Sequence, residues 1–358
     1  MKHFVVFSDL HLHQWQYGSR LINGRNSRLE QQKEVVKSIV RYCTEKDISQ
    51  CVFTGDLFHT STVAAETGQA AYEAFKGFKE NGIDLTILVG NHDQSNRTGG
   101  SHALSWLGHH GRLVDSNVGE NGSQTVGGIN AHFFPFTADA DILRGWISGI
   151  KGRSLCFFHQ GVGGVELNSK GFTLNEILTG DLIPVDCAMA FSGHYHSFKP
   201  VTSNLIIPGS TTQLNWSDAG EPRGWLDVTV DGEQVTEINL IQSKASTFIR
   251  LHEEDFDAEA MQTALQGITS NFVQVLTSGA YKAEDICDTV LRKYGALSCE
   301  IKPIHKEVSP FKTTATVASL NEVIYSFARA KEKEGVINEH DAQVGESLLK
   351  KAYRLPQV

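Results

Sequence analysis

The stretch HFVVFSDLH, residues 3–11, places an apolar run directly before a carboxylate and an imidazole. A short continuous apolar run is typical of a strand buried on both faces of a sheet, and it is too short for the core of a signal peptide. Asp9 and His11 follow with one residue between them, so an extended backbone directs both side chains to the same side. The stretch therefore predicts a buried first strand with paired polar groups at its carboxyl end.

The same pattern recurs as far as about residue 245. Apolar runs predict further strands at 51–54, 85–90, 155–159, 188–193 and 204–209, and apolar spacing predicts helices at 27–46 and 64–80. Alternating strands and helices indicate an α/β layered sheet. Polar residues follow several of these strands at their carboxyl ends, which is the edge where open α/β sheets bind ligands.

These strand ends carry carboxylates, imidazoles and an amide, several of them beside glycines. The residues are Asp9, His11, Asp56, His59, Asn91, His92, Asp93, His159, His194 and His196. Mixed carboxylate and imidazole ligands suit Mn²⁺, Fe²⁺ or Zn²⁺, and two such ions about 3.5–4 Å apart form a clamp for phosphate ester hydrolysis. A carboxylate can bridge two cations, and we assign that role to Asp56. One fragment such as Asn-His-Asp is more often a turn, but five fragments in this order at strand ends are improbable by chance.

The composition narrows the class of protein. A chain of 358 residues predicts two or three structural units. The net charge of −9 disfavours a general DNA-coating protein but is compatible with a nuclease whose bound cations face the phosphate. The six cysteines form no CxxC pair, and no stretch approaches the roughly 18 apolar residues of a membrane helix. We therefore expect a reduced cytosolic protein without a membrane span.

The last third of the chain predicts separate units. Strands at 247–252, 271–277 and 298–305, with helices near 258–267 and 283–294, predict a small βαβαβ unit. A polar linker and a helix pair follow, the first helix with an apolar stripe through Leu320, Val323 and Phe327. The predicted domains are 1–245, 246–305, the linker 306–317, and the C-terminal helices 318–358.

The series Asp-x-His, Gly-Asp, Gly-Asn-His-Asp, a single His and Gly-His-x-His resembles the motif series of the calcineurin-like metallophosphoesterases. Finer features resemble the SbcD-type nuclease component of the bacterial and phage double-strand-break repair nuclease–ATPase complex. They are Gly-Asp-Leu-Phe-His (55–59), His159-Gln160, and Pro-Gly-Ser (208–210) followed by Pro-Arg-Gly-Trp (222–225). The resemblance implies a layered α/β sheet sandwich flanked by helices, a small βαβαβ capping domain that binds DNA, and a C-terminal helix pair.

The resemblance also implies roles for individual residues. One metal ion would be held by Asp9, His11, Asp56 and His196, and the other by Asp56, Asn91, His159 and His194. His92 would donate a proton or a hydrogen bond to the leaving oxygen, Asp93 would orient His92, and His59 would lie near the scissile phosphate. This chain departs from the family at Leu12-His13 and in the stretch 14–30. In that stretch Arg20, Arg25 and Arg28 either contact DNA phosphates or form a solvated basic loop.

The function implied is a Mn²⁺-dependent DNA exonuclease and endonuclease with two metal ions per chain, working as a homodimer in DNA repair, recombination or replication. Its partner would be an SbcC-type SMC-like ATPase that docks on residues 318–355, and its location the cytosol of a bacterium or of a phage's host. Two alternatives stay open. A small-molecule or cyclic-nucleotide phosphodiesterase shares every metal ligand, and a non-catalytic scaffold of this fold predicts missing ligands.

Overall fold

The computed structural model describes residues 1–95, 101–115, 124–166, 173, 176–252, 270–277 and 283–303. Contacts between residues divide the chain into one compact unit, Met1–Ile304, and a second, His305–Val358. All described residues belong to the first unit. The predicted helix at 258–267, the linker at 306–317 and the helix pair at 318–358 lie outside the described residues, and the domain boundary at 245 stays a prediction.

Two six-stranded sheets form the body of this unit. The first has the order β14-β13-β1-β4-β5-β6 and the second the order β11-β12-β10-β9-β8-β7. The strands of the first sheet are β1 (Lys2–Phe7), β4 (Gln50–Phe53), β5 (Asp84–Leu88), β6 (Arg112–Val114), β13 (Gly224–Asp231) and β14 (Gln234–Gln242). Those of the second are β7 (Gln124–Val126), β8 (Ile129–Phe134), β9 (Ser154–His159), β10 (Met189–Gly193), β11 (Lys199–Thr202) and β12 (Leu205–Ile207).

Strand β1 shows why the sheets stack. Alternate side chains of a strand point to opposite faces, so Phe4 and Val6 enter the core between the two sheets while Val5 and Phe7 enter the core beneath the helices. Phe4 meets Phe157 of the second sheet edge-to-face, at 6.2 Å between ring centroids. Because both faces are covered from Phe4 onward, the strand is apolar from Phe4 to Phe7, which explains its continuous run.

Helices cover the outer faces. They are α1 (Ser27–Glu45) and α2 (Ala65–Glu80) on the first sheet and α3 (Ala140–Ser148) beside the second. The side chain of Asn26 caps α1 by accepting hydrogen bonds from the backbone N–H groups of Arg28 and Leu29. The predicted α/β sheet sandwich flanked by helices is thus confirmed, and the predicted bounds of its strands and of α1 and α2 lie within two residues of those observed.

Two smaller sheets complete the described part of the chain. Strands β15 (Phe248–His252), β16 (Phe272–Thr277) and β17 (Ser298–Pro303) form a parallel three-stranded sheet, with helix α4 (Ala283–Asp288) between the last two strands. A two-stranded hairpin, β2 (Leu21–Ile22) and β3 (Arg25–Asn26), precedes α1. In the described ranges, no helix is both long and apolar enough to span a membrane.

Candidate metal centre

The carboxyl ends of strands from the two large sheets meet at one place. Strands β1, β4 and β5 run parallel, as do β9 and β10, so each sheet presents its strand ends along one edge. Hydrogen bonds join the two edges: the His159 ring donates Nδ1–H to the carbonyl of Thr54 at 2.6 Å, and the backbone N–H of His194 lies 3.2 Å from both carboxylate oxygens of Asp9. The fold therefore brings distant polar motifs into contact.

The first of two clusters contains Asp9, His11 and His196, whose ligand atoms lie within 4.8 Å of one another. The Nε2 atoms of His11 and His196 face each other at 3.1 Å, and His11 Nε2 is 3.8 Å from Asp9 Oδ1. Asp9 and His11 are both buried. Two imidazole nitrogens aimed at one point beside a carboxylate form the donor set of a divalent cation.

The second cluster contains Asp56, His159 and His194, and Asn91 joins it. The amide oxygen of Asn91 lies 3.0 Å from His159 Nε2 and 2.8 Å from His194 Nδ1. Asp56 Oδ2 lies 3.3 Å from His159 Nε2 and 3.6 Å from His11 Nε2. Its carboxylate therefore stands between the two clusters, which is the position of a bridging ligand.

Backbone strain is concentrated in these residues. Asp9, His11, Asp56 and His194 have positive φ angles of 50°, 44°, 58° and 92°. Residues with a Cβ rarely adopt this region, and such strain persists where the surroundings impose it, as at functional sites. The neighbouring glycine of the Gly-Asn-His-Asp motif is needed for a different reason, because a Cβ on Gly90 would clash with the Asp56 carboxylate.

Burial and charge shift the ionisation of the cluster. Burial lowers the pKa of His194 to about 4 and that of His11 well below its ordinary value, so both imidazoles are neutral. Burial opposes ionisation of Asp56, yet the charge of His159 and its hydrogen bond to the carboxylate hold the pKa of Asp56 below the ordinary value. His159 is also buried, but the carboxylates of Asp56 and Asp9 raise its pKa to about 9.

The geometry at His159 tests whether a cation fits. Its Nδ1–H donates to the carbonyl of Thr54, so Nε2 faces the oxygens of Asn91 and Asp56, two atoms that could share a cation with it. A backbone carbonyl on one ring nitrogen is the usual support of a metal-ligating histidine. Carboxylates, imidazoles and an amide oxygen thus form a donor set that fits divalent cations at this site.

His92 and His59 border the clusters. The Nδ1 of His92 lies 2.7 Å from the carbonyl oxygen of His59, which accepts its proton, and the backbone N–H of His92 donates to Asp56. The two imidazole rings stack at 5.6 Å with an interplanar angle of 22°. His11, His59 and His92 form a third group of nitrogens within 4.8 Å of one another.

Asp93 has a different role from the one expected. Its carboxylate accepts hydrogen bonds from the backbone N–H groups of Asp56, Leu57, Phe58 and Gly90, at 3.0–3.3 Å. The orientation of His92 comes instead from the His59 carbonyl. Burial and the charge of Asp56 raise the pKa of Asp93 to about 7. The expectation that Asp93 orients His92 is therefore corrected: Asp93 holds the loop that carries Asp56.

Two of the three arginines expected near DNA phosphate have internal partners. Arg28 is 6% exposed and donates to the backbone carbonyls of Tyr17 and Leu214, so its guanidinium is part of the protein interior. Arg25 forms a two-bond ion pair with Glu73. Arg20 is exposed, and its guanidinium donates a hydrogen bond to the carbonyl of Leu297. A phosphate contact by Arg28 is thus incompatible with its burial.

Sequence reasoning missed residues at the edge of the centre. The ring of Trp15 lies 4.6 Å from that of His59, and the ring of His13 lies 5.2 Å from both. Phe136 stacks on His194 at 6.2 Å. His13 reads in the sequence as an ordinary packing residue, and only its proximity to the motif ending in His11 could have indicated otherwise.

Comparison with known proteins gives a distant relative. No family model matches the chain. The SbcD component of the nuclease SbcCD from Staphylococcus saprophyticus is 21% identical over 260 residues, which cover 64% of this chain and 67% of that protein. Among solved structures, a dimetal phosphatase from Danio rerio aligns with a TM-score of 0.41, 10% identity, and coverage of 67% of this chain and 98% of that one. A calcineurin-like phosphoesterase, YfkN, from Bacillus subtilis aligns with a TM-score of 0.38, 12% identity, and coverage of 67% and 90%.

The two stacked sheets gather histidines and carboxylates where their strands end, as the motif series that resembles the calcineurin-like metallophosphoesterases predicts. In sequence the chain is similar to the SbcD component of a nuclease. The resemblance predicted from the motifs is confirmed at this level.

Proposed function

We propose that this protein is a Mn²⁺-dependent DNA nuclease that hydrolyses phosphodiester bonds with two metal ions. The observation that carries the proposal is the position of Asp56 between two clusters of imidazoles and carboxylates. Two cations at such a site bind both the attacking and the leaving oxygens of a phosphate ester, which is a means of hydrolysing it. Similarity to a component of a nuclease supports DNA as the substrate.

The ligand assignment follows the two clusters. Asp9, His11, Asp56 and His196 would hold one ion, and Asp56, Asn91, His159 and His194 the other. When bound, the ions supply Lewis-acid stabilisation of the phosphate and lower the pKa of water. Their charge also explains how an acidic chain with a net charge of −9 can act on a polyanion.

His92 is proposed as the general acid. Because its Nδ1–H donates to the carbonyl of His59, its ring orientation is fixed and Nε2 is left for the substrate. The protonated Nε2 donates to the leaving oxygen as the phosphodiester bond breaks. His59, stacked on His92, is proposed to lie beside the scissile phosphate, and Arg20 remains the candidate contact to a more distant phosphate.

The partners are proposed from the resemblance. An SbcC-type SMC-like ATPase would dock on residues 318–355, which lie outside the described residues, and the chain would act as a homodimer. The proposed setting is processing of DNA ends during repair, recombination or replication in the cytosol. Helix-in-groove docking suits the apolar stripe of the predicted helix pair.

A direct assay tests the nuclease proposal against a small-molecule phosphodiesterase. Purified protein with Mn²⁺ is incubated with linear duplex DNA, with single-stranded DNA, and with bis-p-nitrophenyl phosphate. Cleavage of DNA and of the small ester supports the proposal. Hydrolysis of the small ester without any cleavage of DNA would favour the alternative enzyme, and activity on none of them in Mn²⁺, Mg²⁺ or Zn²⁺ would contradict both.

A further inference from the structure

The segment that follows the first motif, residues 14–28, lies against the three-stranded sheet. The ring of Tyr17 stacks on Phe248 at 6.2 Å with an interplanar angle of 20°. Gly18 packs on the ring of Phe272 so closely that a Cβ at position 18 would overlap it. The segment departs from the family pattern, and it connects the metal-centre motif to another sheet.

Arg28 lies at the centre of this contact. Its guanidinium carbon is 5.1 Å from the ring centroid of Trp15, 5.4 Å from that of Phe248 and 5.0 Å from that of Phe272. Burial lowers the pKa of Arg28 to about 10, so the group is still charged at neutral pH. A desolvated guanidinium among aromatic faces forms strong cation–π contacts, and its planarity suits stacking better than an ammonium does.

Trp15 continues the contact toward the metal centre. Its ring centroid lies 4.6 Å from that of His59, and His59 in turn stacks on His92 at 5.6 Å. Among the described residues, Nδ1 of His59 has no hydrogen-bond partner although it is buried. Packing by Trp15, His13 and His92 therefore replaces a hydrogen bond at that atom in fixing the His59 ring.

Together these groups form one continuous stack, which we call the aromatic relay: Phe272, Arg28, Trp15, His59 and His92. Its first member belongs to β16 and its last borders the bridging carboxylate. The centres of successive members lie 4.6–5.6 Å apart, so displacement of one ring alters the space available to its neighbour.

We propose that Arg28 and Trp15 are positioning residues that fix the orientation of His59 and His92 at the metal centre and couple it to the three-stranded sheet. The inference rests on the proposed function, because it assigns His92 a part in the reaction. A small error in the placement of a reacting group costs rate and not substrate affinity. The competing possibility is that both residues only hold segment 14–28 in place.

Kinetics on bis-p-nitrophenyl phosphate with Mn²⁺ separate these possibilities, since this substrate is too small to reach the three-stranded sheet. We expect Trp15→Leu to lower kcat about ten-fold or more while KM stays within about two-fold. The kcat of Trp15→Phe should stay within about three-fold of the wild-type value.

The control is Val275→Ala, a buried β16 position in the core of the sheet on the α4 side. It should lower the melting temperature without lowering kcat. An unchanged kcat in Trp15→Leu, or an equal loss in the control, would overturn the proposal.

A double-mutant cycle tests whether Arg28 acts through Trp15. Arg28→Lys keeps the charge but loses the planar stacking group. If Arg28 acts through Trp15, the loss of kcat in the double variant should be smaller than the product of the losses in Arg28→Lys and Trp15→Leu. Fully multiplicative losses would mean that the two residues act independently and that no relay exists.

Spectra of the protein labelled at histidine Cε1 give a readout that does not depend on activity. In ¹H–¹³C correlation spectra, Trp15→Leu should move the ring signals of His59 and His92, since the ring current and packing of the indole are lost. The signal of His3, which lies on β1 and pairs with Asp227, serves as the internal reference. If the wild type hydrolyses no ester, the proposed function fails, and unmoved His59 and His92 signals would independently overturn the positioning role.

Discussion

Asp56 is the residue on which the two-ion proposal depends most. Its carboxylate lies within 3.6 Å of a histidine nitrogen in each cluster, and its second oxygen accepts the backbone N–H of His92. Replacement by Asn keeps the shape but removes the charge, so we expect Asp56→Asn to lose activity and to bind fewer Mn²⁺ ions per chain than wild type. Elemental analysis of the dialysed protein measures this.

The matched control is Asp84→Asn, which changes an exposed carboxylate at the start of β5. Its metal content should equal that of the wild type. Undiminished Mn²⁺ in Asp56→Asn would show that the carboxylate does not bridge the two sites.

Replacement of His92 should slow the chemical step without lowering the amount of bound metal. Removal of a general acid typically slows a reaction by about 10²–10⁴-fold, so His92→Ala should lower kcat in that range while Mn²⁺ content stays at the wild-type level. The exposed His109 gives a control, since His109→Ala should change neither quantity. Loss of Mn²⁺ in His92→Ala would instead identify His92 as a ligand.

Asp93 marks the limit of residue-level prediction from the sequence. The Gly-Asn-His-Asp motif indicates that this carboxylate matters, but it cannot tell which donors the carboxylate meets. Three of its four donors lie 35–37 residues earlier, and only the pairing of β4 with β5 brings them close. Likewise Arg28, a basic residue in a polar stretch, is buried because Phe248 and Phe272 pack on it, although both lie more than 200 positions later in the sequence.

At the scale of elements, strands with apolar runs were predictable and strands with mixed sequence were not. Strands β9 and β10 are buried along nearly all of their length, as is β1 from Phe4 to Phe7, which yields the continuous runs that the sequence displays. Strand β14 has no fully buried residue and was not predicted, because its five polar residues outnumber its four apolar ones and interrupt any apolar run. Its antiparallel pairing with β13 is a tertiary feature that no local pattern encodes.

The contact between α1 and α2 contains a charge cluster with a predictable pH response. Glu73 of α2 pairs with Arg25 at 3.1 Å and with Lys33 of α1 at 3.0 Å, and these hydrogen bonds lower its pKa to about 2 from an ordinary 4.5. A carboxylate whose folded-state pKa is lowered contributes stability that is complete above pH 4.5 and is lost as the pH falls toward 2. The contribution should therefore be constant at neutral pH and shrink under acid.

Thermal unfolding of the wild type and Glu73→Gln across this range measures the effect. We expect Glu73→Gln to lower the melting temperature at neutral pH, and the difference from wild type to narrow below pH 4.5. Glu34→Gln is the control, because Glu34 pairs with Lys37 on the exposed face of α1, where an ion pair contributes little. A difference that grows with acidity would contradict the assigned charge state.

At the scale of the whole molecule, the meeting of two sheets explains how the site arises. Five motifs spread over 188 positions, from Asp9 to His196 counted inclusively, converge because parallel strands present their carboxyl ends along one edge of each sheet. The third sheet contributes no ligand to the clusters among the described residues, yet it contacts the metal-centre motif through Arg28 and Trp15. The candidate metal centre and the three-stranded sheet are thus separate regions that Arg28 and Trp15 connect.

The last prediction concerns the segment beyond this first unit. Contacts separate Met1–Ile304 from His305–Val358, and every residue of the metal centre and of the aromatic relay belongs to the first. If residues 318–355 dock on an ATPase and do not pack on the enzyme, a chain ending near residue 312 should keep its Mn²⁺, its melting temperature and its hydrolysis of bis-p-nitrophenyl phosphate. It should lose association with the ATPase and any ATP-dependent stimulation on duplex DNA. A large drop in the melting temperature of the shortened chain would mean that the apolar stripe through Leu320, Val323 and Phe327 packs on its own chain. Co-purification of the shortened chain with the ATPase would contradict the docking proposal.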